Sequence, residues 1–136
     1  MSPDRVERPV TGIVAAGVGV LLGFDAVGAL ASKQFGFTYA FLIPGSLIIY
    51  GTVAALVARR RDWLLGLLAG VLMGLTDMTL GWTVAALIGP GRPAGGFTLA
   101  TIVGGAMTAF VAASLAGSVG AWIGSRRVRG PGASAA

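Results

Sequence analysis

The sequence predicts an all-α membrane protein in which four transmembrane helices form one bundle. Three observations predict it: four long apolar runs, very little charge inside them, and arginines that gather on one side of a four-pass chain. Of 136 residues, 55% are hydrophobic and 11% charged, with a mean hydropathy of +0.85. A soluble domain carries about 25% charged residues, so the bilayer is the better solvent for this chain.

An α-helix rises 1.5 Å per residue, and about 20 apolar residues cross a hydrocarbon core of roughly 30 Å. Four segments meet that requirement, at 10–31, 35–58, 63–89 and 97–124. A charged leader, 1–9, precedes them, and a small, polar tail at 125–136, expected to be disordered, follows. The breaks are Ser32-Lys33-Gln34, Arg59-Arg60-Arg61-Asp62 and Pro90-Gly91-Arg92-Pro93. Such short connections make sequential helices antiparallel neighbours. A competing reading of the first span is a cleaved signal peptide, with Ala29-Leu30-Ala31 as the cut site. Asp4, Glu7 and Asp25 fit that reading poorly.

Arg5, Arg8, Arg59, Arg60, Arg61, Arg126, Arg127 and Arg129 fall on one side of the four-pass chain, and Lys33 and Arg92 on the other. The positive-inside rule makes the first side cytoplasmic, so the protein is expected to be a multi-pass protein of the cell membrane with both termini inside. Arg59, Arg60, Arg61, Arg126 and Arg127 act in this reading as topology signals and as contacts for anionic headgroups. Trp63 and Trp82 lie nineteen residues apart, about 28 Å of helix, which puts one indole in each interfacial belt. The net charge of +5 comes from short basic clusters between apolar runs, so no nucleic-acid partner is expected. Cysteine and histidine are absent, which removes disulfides, thiolate nucleophiles, imidazole bases and the usual zinc ligands. No cofactor, metal centre or catalytic residue is expected.

The string from Gly19 to Asp25 is echoed by Gly70 to Asp77, and the second and fourth spans open with Phe37-Thr38 and Phe97-Thr98. This suggests two tandem two-helix hairpins in parallel repeat about an axis along the membrane normal. Small residues also recur at every fourth position. Ala15, Gly19 and Gly23 mark the first span, Gly66, Gly70 and Gly74 the third, and Gly105, Ala109, Ala113, Gly117 and Ala121 the fourth. In lipid, close backbone approach along such grooves supplies much of the packing energy. With four helices to serve, one groove is left for a second subunit, so a homo-oligomer or a place in a larger membrane complex is expected beside the lipid bilayer itself.

Asp25 and Asp77 are the ionisable residues deep inside the spans. A central aspartate costs about 2.5 to 3.5 kcal/mol to insert, so each is a functional candidate. Asp25 is fifteen residues from Val10 and Asp77 fourteen from Trp63, which places both about 21 to 23 Å from the cytoplasmic ends of their helices. The second span brings Pro44-Gly45-Ser46 to the same level, and the fourth brings Gly104-Gly105. Pro44 has no amide hydrogen for the carbonyl of Ala40, so that oxygen is expected to point inward beside the carboxylates and the hydroxyls of Ser46, Thr76, Thr101 and Thr108. Asp25, Asp77, Thr76, Ala40, Pro44 and Ser46 thus form the predicted ion- or substrate-binding layer. No lysine or arginine occurs at this depth, so compensation must come from a proton, a bound cation or another protein's basic residue. Two functions compete: a small transporter or channel for a cation, proton or cationic solute, and an accessory or assembly subunit of a larger membrane complex. An intramembrane aspartyl enzyme has the carboxylates but no supporting motif, and enzymatic activity is not expected.

Overall fold

Hydropathy divides the chain into four passes, and the computed structural model describes them over residues 4–93 and 95–126, with backbone alone for 4–9. The described chain is helical without strands. Its apolar stretches Val10–Phe35, Tyr39–Arg60, Trp63–Ile88 and Leu99–Arg126 are each long enough to cross a membrane. Ser125 and Arg126 of the expected tail belong to the last helix, and 127–136, with Arg127 and Arg129, lie outside the described residues.

Helix α1 (Asp4–Phe35) absorbs part of the leader at one end and the expected Ser32-Lys33-Gln34 break at the other. That break is the helix's last turn, because the stop signal is Gly36 one residue later. Gly36 adopts φ +72° and donates its amide to the Ser32 carbonyl at 2.9 Å, a left-handed helix cap that glycine forms without steric cost. The second pass therefore begins with a 3-10 turn, Tyr39–Leu42, before α2 (Ile43–Arg60).

Pro44 occupies the first turn of α2 instead of its interior. A first-turn amide has no intrahelical acceptor, so proline costs nothing there. The free Ala40 carbonyl expected from the sequence is accordingly absent: it accepts the Ile43 amide.

Asp62 caps α3 (Trp63–Thr76) by accepting the Leu65 amide at 2.9 Å. The third pass then widens into a π-helical turn, Asp77–Gly81, and continues as α4 (Trp82–Ile88). In the wide turn the Trp82 amide reaches back to the Asp77 carbonyl. Thr79 and Thr83 hydroxyls bond the carbonyls of Leu75 at 2.8 Å and Thr79 at 2.5 Å, the usual way for threonine to satisfy an irregular helix in lipid. Finally α5 (Leu99–Arg126) starts two residues later than expected. Thr98 and Thr101 cap it reciprocally, with N–H to hydroxyl distances of 2.9 and 3.1 Å.

The small-residue stripes of α3 and α5 meet each other. A Cβ on Gly70 would lie 2.6 Å from the Gly117 Cα, and one on Gly74 would collide with the Ala113 methyl. Gly66 faces the Ala54 carbonyl and the Ala58 and Ala121 methyls. A second small stripe, which the sequence reading passed over, sets Gly120 and Gly124 of α5 directly on the backbone of Gly51 and Ala55 in α2. The larger core side chains are few: Leu21, Tyr50, Val53, Val57 and Met73. Helix α1 enters this core with Leu21 and packs on α2, the π turn and α4, but makes no substantial contact with α5. A two-fold relation between hairpins requires α1 to meet α5 as α2 meets α3, so the two hairpins do not pack as equivalents. Ala15, Gly19 and Gly23 are exposed, and neither glycine has a neighbour within 4 Å of where a Cβ would stand.

Candidate functional site: a buried pair of aspartates

The inward face of α1 carries Gly17, Leu21, Asp25, Ala29 and Ser32, spaced by about one turn. Asp25 therefore enters the bundle on the side opposite Gly19 and Gly23. It is only 1% exposed. Its Oδ1 accepts a hydrogen bond from the Tyr39 hydroxyl at 3.1 Å, while its buried Oδ2 has no N–H or hydroxyl donor among the described residues and faces the Asp77 carboxyl group. A buried polar atom without a partner is rare and costly, and in a native fold it requires a reason.

Asp77 arrives from the opposite helix, at the first position of the π turn. The Tyr50 hydroxyl donates to its Oδ2. Its Oδ1 turns the other way, toward Gly81: a Cβ built on Gly81 would run into both Asp25 Oδ2 and Asp77 Oδ1. Each carboxyl group thus gives one oxygen to a tyrosine and presents the other beside a residue that has no side chain. The missing side chain is what lets the two acids approach, and the π turn is what aims Asp77 and Gly81 at the same neighbour.

The pair lies on the wall of a cavity of about 360 Å³ between the halves of α2 and α5 that lie away from Arg59 and Arg126. Leu42, Ile43, Ser46, Leu47 and Tyr50 form one side, Gly104, Gly105, Thr108, Ala109 and Ala112 the other, with Met78 and Trp82 between. Ile43, Gly104 and Thr108 are exposed, so the space opens sideways between the two helices. The opening follows from the packing already described. The helices touch backbone to backbone at Gly51 and Gly120, and bulkier residues hold them apart beyond that point.

Among the predicted site residues, Asp25, Asp77 and Ser46 come together here. Thr76 does not: its hydroxyl bonds the Leu72 carbonyl of its own helix at 2.9 Å. Thr101 is spent on capping α5. Pro44 is exposed at the start of α2, and Ala40 is exposed within the 3-10 turn. The expected all-oxygen layer is in fact a mainly apolar cavity with oxygens concentrated at one spot.

The sequence reading missed Tyr39, Tyr50 and Gly81. The chain has only two tyrosines, and each bonds one of the two deep aspartates. They stand eleven residues apart, about three helical turns, and that shared face was the available signal. Trp82, expected at a membrane interface, is half-buried under the 89–98 connection. Its indole donates to the Gly91 carbonyl at 2.7 Å and its ring lies 5.5 Å from that of Phe97.

At the other end of the bundle, the Arg126 guanidinium stacks 3.7 Å from the Trp122 ring, in a groove shared with Arg61, Asp62 and Trp63. Arg59 and Arg60 are exposed at the end of α2. These positions suit headgroup contacts and lie far from the aspartates. Among the described residues, no three potential metal-ligating side chains cluster.

No protein-family model matches the sequence, and neither a curated protein nor a solved structure is significantly similar to it.

Proposed function

We propose that this small polytopic membrane protein is a transporter or channel in which Asp25 and Asp77 form an acidic relay site for a cation, a proton or a cationic solute. The observation that carries the proposal is the apposition of two carboxyl groups, with Asp25, 1% exposed, turning Oδ2 and Asp77 turning Oδ1 toward the same Gly81, on the wall of a cavity whose lining among the described residues contains no lysine or arginine. Two carboxylates at such proximity cannot both ionise in a low-dielectric setting without a positive charge between them. A group that must recruit a proton or cation, and that borders a cavity, is the minimal equipment of a translocation site.

Purified protein in proteoliposomes tests this directly. A proton- or cation-driven flux should appear and should be lost in Asp77→Asn, while the variant still inserts and keeps its helical circular dichroism. Unchanged flux in that variant overturns the proposal. The alternative, an accessory subunit, is favoured by one observation: the open Ala15, Gly19, Gly23 stripe on α1 is a ready docking face for another membrane helix. It calls for stoichiometric co-purification of a second protein in mild detergent.

A further inference from the structure

We infer that the cavity beside Asp25 and Asp77 binds an organic cation, an ammonium group carrying an apolar aromatic or alkyl body, in preference to a metal ion. The inference deepens the transport reading and rests on the same acid pair. Three features of the cavity select this class. The first is charge: the carboxyl groups of Asp25 and Asp77 both stand on the cavity wall, and among the described residues no lysine or arginine lines the space.

The second is the shortage of oxygen ligands. A hard divalent cation takes six or more oxygens at short range. Here both tyrosine hydroxyls already act as donors to the carboxylates, and Ser46 and Thr108 add two hydroxyls along an otherwise apolar lining. An ammonium head needs only the carboxylates and aromatic faces, and Tyr39, Tyr50 and Trp82 supply aromatic rings around the same space.

The third is volume and access. About 360 Å³ is far more than a dehydrated metal ion fills, and it falls in the range of pockets that hold small organic ligands, roughly 300 to 1,000 Å³. Leu47 and Met78 give the body of the ligand an apolar bed, methionine being well suited to varied shapes. The opening at Ile43, Gly104 and Thr108 runs sideways between two membrane-length helices, an approach open to an amphipathic cation gathered at the bilayer interface.

Calorimetric titration of the full chain in lipid nanodiscs with benzyltrimethylammonium, its neutral carbon isostere neopentylbenzene, sodium and calcium tests the assignment. The ammonium ion should bind saturably, the isostere at least tenfold more weakly, and the metal ions should not displace it. Asp25→Asn should weaken ammonium binding at least tenfold. Should that variant fail to fold, Gly104→Leu serves: a Cβ at Gly104 meets nothing within 4 Å, so the variant keeps its unfolding temperature while its side chain narrows the mouth, and ammonium binding should fall at least tenfold. Equal binding of the isostere, displacement by sodium or calcium, or full binding in both variants overturns the inference. The two readings fail separately. Flux that Asp77→Asn abolishes, without ammonium binding, removes the substrate class and leaves the relay. Ammonium binding without any flux keeps the site and removes transport.

Discussion

The two ends of the bundle are built from the same helices and follow opposite rules. At the end with Arg59 and Arg126, α2, α3 and α5 meet through Gly66, Gly70, Gly117, Gly120 and Gly124, so that backbone touches backbone. At the end with Asp25 and Asp77, Tyr39, Tyr50, Trp82 and the two aspartates instead line a cavity between α2 and α5. In lipid, apolar side chains gain little by leaving the solvent, so close approach of backbones is a main source of cohesion. One end therefore holds the fold together, and that cohesion offsets the cost of burying two carboxyl groups at the other.

Substitutions that respect or cross this division should sort by size. The largest effect on stability belongs to Gly120→Ala, whose methyl would run into the Gly51 carbonyl. A backbone oxygen cannot step aside, so α2 and α5 must separate, at a cost of about 3 kcal/mol. The expected readout is a clear fall in the unfolding temperature in detergent, with flux lost alongside the fold; a neutral result would mean that this end is not the clamp. Next is Gly81→Ala. Its methyl meets the ends of two side chains, which can swing away, so the stability cost should be smaller, about 1 to 2 kcal/mol. Flux should nonetheless fall at least tenfold, because the carboxyls are driven apart. Retained flux with a lowered unfolding temperature would make Gly81 merely structural. Smallest is Thr76→Val. The Thr76 hydroxyl bonds its own helix and does not line the cavity, so both stability, within about 0.5 kcal/mol, and flux should stay as they were. A loss of flux there would restore Thr76 to the site.

How legible each end was in the sequence differs for the same reason. The α3–α5 half of the clamp could be read because its signal is local: Gly66, Gly70 and Gly74 repeat at helical spacing, and so do Ala113, Gly117 and Ala121, whereas the Gly120 and Gly124 stripe against α2 went unread. The matching depth of Asp25 and Asp77 was also legible, since helical rise is nearly constant and residue counts convert to height. What periodicity cannot supply is which faces of different helices meet. Tyr39 and Tyr50 read as apolar positions within a span, and only the packing of α1 and of the π turn against the second pass makes them donors to Asp25 and Asp77. The misplacement of Pro44 and Ala40 has another cause. The chemistry of proline depends on whether it starts a helix or interrupts one, and here that was decided by Gly36 ending α1 late and the 3-10 turn delaying α2. Gly19 and Gly23 show the converse: spacing alone marks a groove, but not whether this chain supplies anything to fill it.

The wide turn also sets the phase of everything that follows it. Asp77 and Ala85 are eight positions apart, which in an uninterrupted α-helix leaves them about 80° out of line. The extra residue taken up by the π turn cancels most of that rotation, so Ala85, fully buried, comes back beneath Gly81 and Asp77. The last third of the pass, including Trp82 and its bond to Gly91, is thus clocked to the acid pair by residue count as much as by residue type. Between Asp77 and Gly81, chain length is itself part of the information that specifies the site.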